Sequence, residues 1–261
     1  MGENQVFVWD GAMLFALWDI SNVLHHHYAG CLMLAPEEPF YIGFDRVGPR
    51  ECRAGLLAPN AAHTLSSRGA RFVNILFEPQ HDWFQQMKPL FAHGPFVELD
   101  VHSFDFLATD WDGLFAGRWD CAQASMWARQ AMDSVLGASH GSRTLDPRLS
   151  EALRILGGTI DQRVTPAAIG KKVGLSPFTL MRLFKAHLGV RISEYVLWRR
   201  LIRGLGLVDG KRTLTEIAHE VGFYDHAHLT RTAQRMAGLQ PSFFNGSQPL
   251  RVCRCGTAAS P

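Results

Sequence analysis

A chain of 261 residues, 47% of them apolar and 19% charged, is long enough for two domains with their own cores and too apolar to be disordered. Its formal charge of +2 hides an asymmetry: residues 1–145 hold 9 Lys/Arg against 16 Asp/Glu, a net of −7, while residues 146–250 hold 15 against 8, a net of +7, so a polyanionic partner is expected for the second half alone. Five cysteines, scattered and odd in number, do not suggest a disulfide framework, and no apolar run is long enough to span a bilayer.

Residues 1–95 read as short strands. Val6 to Trp9, Leu14 to Trp18, Cys31 to Leu34, Phe40 to Ile42, Gly55 to Leu57 and Phe72 to Phe77 are apolar or aromatic runs, separated by Gly, Pro, Asn and Asp. Many short strands without a long helix predict a sandwich or barrel. His25, His26 and His27 follow one such run, and alternation puts His25 and His27 on one face. The start, Met1-Gly2-Glu3-Asn4-Gln5, has no basic segment ahead of an apolar one, so no secretory leader is expected and the cytoplasm is the expected location.

From Val97 to Leu136 the pattern turns helical. Trp119, Ala122, Met126, Trp127, Gln130 and Val135 form a partly apolar face, suited either to pairing two subunits or to packing on the chain's own strands. Residues 137–146 are Gly/Ser-bearing and polar, a linker. Beyond 248 the chain reads as a flexible tail, in which Cys253 and Cys255 are expected to be reduced and incidental.

Between linker and tail one unit is written twice. Ile169-Gly170-Lys171-Lys172-Val173-Gly174 returns 48 residues later as Ile217-Ala218-His219-Glu220-Val221-Gly222, and Leu180-Met181-Arg182 returns as Leu229-Thr230-Arg231. Thr165-Pro166 and Ser176-Pro177 have the grammar of a cap followed by a first-position proline; Thr213 or Thr215 and then Asp225 serve in the second copy. Gly174 and Gly222 end the first helix of each pair. Two short helices joined by a few residues with Gly form a helix-turn-helix, whose second helix fits a DNA major groove.

Gly174-Leu175-Ser176-Pro177, Arg182-Leu183-Phe184-Lys185, Leu188-Gly189, Tyr195 and Arg199, with Thr215-Glu216-Ile217-Ala218, Val221-Gly222-Phe223, Leu229-Thr230-Arg231 and Pro241-Ser242, resemble the paired helix-turn-helix domain of the AraC/XylS transcription regulators. The resemblance implies an α+β chain of two domains: a cupin-like sensor barrel or sandwich over 1–95 with a helical connector, 96–136, in which such regulators often dimerise, and an all-α DNA-binding domain over 147–248. It implies a bacterial regulator of transcription, an activator among other modes, with double-stranded DNA and an unidentified small-molecule effector as partners, and it admits RNA polymerase and a homodimer. The groove-facing positions would be Phe178, Met181, Arg182 and Lys185, then His226, Ala227, His228 and Arg231. Lys171, Lys172, Lys211 and Arg212 would touch phosphates.

In the barrel, His25, His27 and His63 stand where metal-binding cupins carry imidazoles, but the matching glutamate position falls near Cys31 or Leu32. The expectation is therefore no metal and no cofactor, with the three histidines lining an effector pocket. The alternative is a metal-dependent cupin enzyme with an attached helical domain. Ala233 stands where the first copy has Phe184, and Gly204 and Gly206 interrupt the link helix; the second unit is thus expected to position the protein while the first discriminates bases, with Phe243 and Phe244 available to fill the space beside Ala233.

Overall fold

The computed structural model describes residues 4–45, 47–137, 145–208, 211–239 and 250–256. Its first half is a sandwich of two sheets. The strands are β1 (Asn4–Val8), β2 (Ala12–Trp18), β3 (Ser21–His25), β4 (Gly30–Leu34), β5 (Phe40–Phe44), β6 (Val47–Cys52), β7 (Ala54–Leu57), β8 (His63–Ser66), β9 (Arg71–Phe77), β10 (Phe96–Glu98) and β11 (Leu250–Arg254). Seven form one sheet in the order β10-β7-β4-β9-β2-β1-β11, and four form the other, β3-β8-β5-β6.

The large sheet is covered on both faces, which is why its strands read as unbroken apolar runs. In β9, Phe72 and Leu76 join Phe40, Ile42 and Leu65 of the small sheet, while Val73, Ile75 and Phe77 meet the helices on the other side. The small sheet has a solvated side; β6 is exposed along most of its length and β3 is largely exposed until His25. Strands β3, β6 and β8 consequently carry little apolar signal, and sequence reading passes over them.

The segment 96–136 departs from the expected run of helix. Phe96–Glu98 is the antiparallel edge strand β10, paired with β7, and Val101–Asp110 is a 3-10 helix started by Asp100, whose carboxylate accepts from the His102 N–H. A three-residue strand is too short to show a period. The helices of this half are α1 (Asp82–Met87), α2 (Trp111–Phe115) and α3 (Cys121–Leu136). Asp120 and Gln123 close a capping box at the start of α3. Its buried stripe is Ala124, Trp127, Ala128, Ala131 and Met132, packed in the core of the large sheet, whereas Met126 is 59% exposed. Small alanines, not the expected Met126 and Gln130, make the inner face, and that face packs on the chain's own sheet.

Residues 147–239 are helical: α4 (Pro147–Gly158), α5 (Pro166–Lys172), α6 (Pro177–Leu188), α7 (Ile192–Leu205), α8 (Leu214–Glu220) and α9 (His226–Ala237). Most of the linker, residues 138–144, and Pro241-Ser242-Phe243-Phe244 lie outside the described residues.

The tail corrects two expectations. Leu250–Arg254 is not a loose end but strand β11, parallel to β1 with Val6 opposite Val252. Cys255 follows it, donates its N–H to Val8 O at 2.9 Å, and forms a disulfide with Cys121 at the start of α3. Neither contact leaves a mark in cysteine spacing, because β1 supplies the template for the tail and Cys121 lies 134 residues away. Arg251 donates to Gly117 O and Arg254 to Gly206 O, so the strand also ties the sheet to the end of α7.

Unfolded without reductant, the protein should therefore show three reactive thiols, Cys31, Cys52 and Cys253, and five after reduction, counted by alkylation and mass spectrometry. Closing a loop of this length contributes up to about 5 kcal/mol in the chain-entropy account, so Cys255→Ser should lower the melting temperature of the oxidised protein.

Candidate nucleic-acid interface

Each helical pair is built by the same local rules. In the first, Thr165 Oγ1 accepts from the Ala168 N–H at 3.2 Å and Pro166 takes the first helical position. Gly174 turns the chain at φ +68°, and a side chain at Gly170 would meet Leu175 O at 2.5 Å, so this tight turn requires glycine there. Ser176 Oγ caps α6 by accepting from the Thr179 N–H at 3.1 Å. In the second, Thr213 is the cap, with Glu216 completing a capping box, and Asp225 caps α9 through the His228 N–H at 2.6 Å. A side chain at Gly222 would stand 2.7 Å from Asp161 O.

The inner faces are Leu180, Phe184 and Leu188 in α6, and Leu229, Thr232, Ala233 and Met236 in α9. Ala233 is fully buried, and a Cβ added at Gly204 of α7 would meet Ile217, Val221 and Leu229 at 3.5–3.8 Å. The crossing of α7 with the second unit therefore has room for a methyl group at position 204.

On the outer faces, Phe178 is 70% and Met181 45% exposed, beside exposed Arg182 and Lys185. Lys185 Nζ donates to Gly189 O at 2.8 Å and so caps its own helix. In α9, His226 and Arg231 are exposed, Ala227 is half-buried, and His228 packs edge-on against Phe223 with ring centroids 5.2 Å apart. Lys171, Lys172, Lys211 and Arg212 are exposed, with Arg212 Nε 3.9 Å from Glu220. Tyr224, 84% exposed just ahead of the α9 cap, was missed by sequence reading. The signal was there: a large aromatic outside any apolar period, next to a cap.

Both outer helices meet the sandwich at their C-terminal ends. Gly189, left-handed at the end of α6, lies beside Asn60. Gly238, left-handed at the end of α9, lies against Asn22 and His25; Asn22 Nδ2 donates to Ala237 O at 3.0 Å. Between them α7 is docked by one buried carboxylate. Glu78, 2% exposed after β9, accepts from Trp198 Nε1 at 2.9 Å and from Arg199 Nη1 at 2.8 Å. The Glu78 charge holds the Arg199 guanidinium above its ordinary range. Trp198 also meets Tyr28 edge-on at 5.2 Å.

Beneath α7 and α9 lies a cavity of about 60 Å³. Phe15, Leu17, Leu65 and Leu76 of the sandwich and Trp198, Leu201 and Leu205 of α7 line it, with no Lys or Arg among its lining residues. The sequence-predicted His25, His27 and His63 come together here, and Asn74 Oδ1 in the same wall is buried without a hydrogen-bond partner. Burial lowers the pKa of His25 to about 4 and that of His27 well below the ordinary histidine value, with neighbouring imidazoles adding to both, and lowers that of His63 as well. All three are neutral at pH 7.

A helix-turn-helix domain family matches residues 169–246. A probable transcription factor of Proteus vulgaris, PqrA, is 33% identical over 88 residues, covering 33% of this chain and 72% of that protein. An uncharacterized response regulatory protein of Staphylococcus epidermidis is 29% identical over 84 residues, and the matched part spans 32% of this chain and 34% of that protein. Over nearly the whole chain the fold is similar to that of ToxT from Vibrio cholerae. An apo variant from strain SCE256 superposes with a TM-score of 0.60 at 12% identity, covering 90% of this chain and 96% of that one. The wild-type protein with a bound unsaturated fatty acid gives 0.54 at 12%, covering 89% and 93%.

Glu78→Ala should destabilise the protein by roughly 3 kcal/mol, because it leaves the Trp198 indole N–H unpaired and the largely buried Arg199 guanidinium with only the exposed Asp10, 3.6 Å away. A double-mutant cycle with Arg199→Ala, followed by urea denaturation, should return a coupling of about 1–3 kcal/mol. Additive single effects would mean that the pair does not hold the two halves together.

Proposed function

The chain belongs to the AraC/XylS family of transcription regulators, and we propose that it is a sequence-specific DNA-binding regulator controlled by a small molecule lodged between its two halves. The observation that carries this reading is the display of the two outer helix faces. Phe178, Met181 and Arg182 on α6, and Tyr224, His226 and Arg231 around the start of α9, are all exposed, while the C-terminal ends of both helices rest on the sandwich. With α7 as spacer, the two helices would enter neighbouring major-groove segments about one helical turn apart. Arg182 and Arg231 are suited to guanine, Phe178 and Met181 to thymine methyls, and Lys171, Lys172, Lys211 and Arg212 to phosphates. Lys185 and His228, engaged within their own units, support the fold of each reading head more than the reading itself.

The effector site of this reading is the cavity under α7 and α9. Its walls come from both halves, so an occupant changes how the DNA-binding half is seated. ToxT, similar in fold, has been crystallised with an unsaturated fatty acid. Here the apolar lining suits an apolar body, while Asn22, Asn74 and the imidazoles suit a hydrogen-bonding head. At about 60 Å³ the cavity holds only a few atoms, so a larger effector must part the two halves to enter. We read the chain as a regulator and not an enzyme, acting in the cytoplasm with RNA polymerase and a second copy of itself as further partners.

Binding of the full chain to a site selected from random DNA should fall steeply with salt as counterions are released. Arg182→Ala should cost about 1–3 kcal/mol and relax the preference at particular base pairs, and Arg231→Ala should weaken binding more evenly. Changing the selected site one base pair at a time tests this division; the costliest changes should lie under α6, and a cluster under α9 would reverse the roles.

A further inference from the structure

The histidine cluster has a feature that a merely polar pocket wall does not need. Each ring uses one nitrogen on the backbone: His25 Nδ1 donates to Val23 O, His27 Nδ1 to Ala29 O and His63 Nδ1 to Ala61 O, all at 2.9 Å. A carbonyl can only accept, so each Nδ1 carries the proton, and each Nε2 keeps its lone pair. Backbone carbonyls holding the outer nitrogen of a histidine are the usual support of a metal-bound imidazole.

The placement follows from the fold. His25 ends β3 and His63 begins β8, directly opposite each other in the antiparallel pair, with ring centroids 4.2 Å apart. His27, two residues on, brings its ring to 5.7 Å from His25 and 5.3 Å from His63. One ring nitrogen of each lies within 4.8 Å of the others. His26, between them, points to solvent. All three clustered rings are buried, and Trp198 of α7 stands 6.2 Å from His27.

We propose that His25, His27 and His63 form a binding site for one divalent transition-metal ion of the zinc, cobalt or nickel type. Three neutral imidazoles without a carboxylate select such ions over magnesium, calcium or manganese. The expectation of no metal rested on the missing glutamate, but three imidazoles already make a tridentate site and leave a position open toward the cavity. The Cys31 thiol donates to His27 Nε2 at 3.4 Å, a hydrogen bond that an ion bound there would replace. Since His25 also touches Gly238, an ion held there stiffens the seat of α9. Metal binding by these rings is independent of whether the chain regulates transcription.

The test uses the full chain, stripped with chelator and titrated with Co²⁺, read by its visible d–d absorption and by metal analysis after gel filtration. One Co²⁺ per chain is expected, displaced by Zn²⁺. His27→Ala and His63→Ala should each weaken binding by more than about tenfold, and His26→Ala should bind as the unaltered protein does. Circular dichroism identifies any variant that has unfolded, and His27→Gln and His63→Gln, close in size to the originals, then replace it. Folded, unaltered protein that takes up no Co²⁺ at excess, or uptake equal in the His27, His63 and His26 variants, overturns the proposal. Neither outcome bears on DNA binding, which is measured separately.

Discussion

The arrangement of the two halves depends on one buried carboxylate. Glu78 sits at the end of β9, the central strand of the large sheet, and takes hydrogen bonds from two consecutive residues of α7. A carboxylate so placed is costly unless paired, and few other dockings of α7 would pair it. The apolar contacts around it, Tyr28 with Trp198 and Tyr195, supply most of the attraction but tolerate sliding. The ion pair and the indole bond fix the register. Because α7 is also the spacer between the two helix-turn-helix units, whatever fixes α7 on the sheet fixes both reading heads.

The same geometry explains how a small cavity can matter. Its roof is α7 and the end of α9, and its floor is the inner face of the sandwich. The terminal carbonyls of α9 are partly satisfied by Asn22 of β3, a side chain from the other half. Seating the second unit and closing the cavity are therefore one event. The first unit has a lighter contact, Gly189 beside Asn60, and keeps its own terminal capping through Lys185. Whatever alters the cavity therefore acts on α9 more directly than on α6.

How much of this was legible in the sequence depended on where the information is local. Caps and turns are local, so Thr165, Ser176, Thr213 and Asp225 announced their helices, and Gly174 and Gly222 their turns. Strands buried on both faces, such as β2, β4 and β9, showed as apolar runs. Strands of the small sheet did not, since β6 presents Arg50 and Glu51 to water and β3 reads Ser-Asn-Val-Leu-His. The grouping of His25, His27 and His63 was expected, the first two from alternation and the third from the family resemblance, while their spacing depends on the register of β3 with β8, which shifts between Asn22 and His25. The Cys121–Cys255 bond and β11 were beyond reach, because a non-local template decides both. The expected face of α3 was right at Trp119 and Trp127 and wrong at Ala122, Met126 and Gln130, because alanines at 124, 128 and 131 bury well but weigh little in a hydrophobic pattern.

The parallel pairing of β1 with β11 has a consequence for biosynthesis. The large sheet takes its edge strand from residues 250–254 and that strand's only neighbour from residues 4–8, with the whole DNA-binding half between them. At ribosomal rates of about 5–20 residues per second, β1 waits roughly 10–50 s for its partner. During that interval its outer row of N–H and C=O groups is an open template. The nascent N-terminal half therefore passes through a stage when another chain's β11 can pair with it as well as its own, an exchange that would leave two polypeptides clasped by each other's tails.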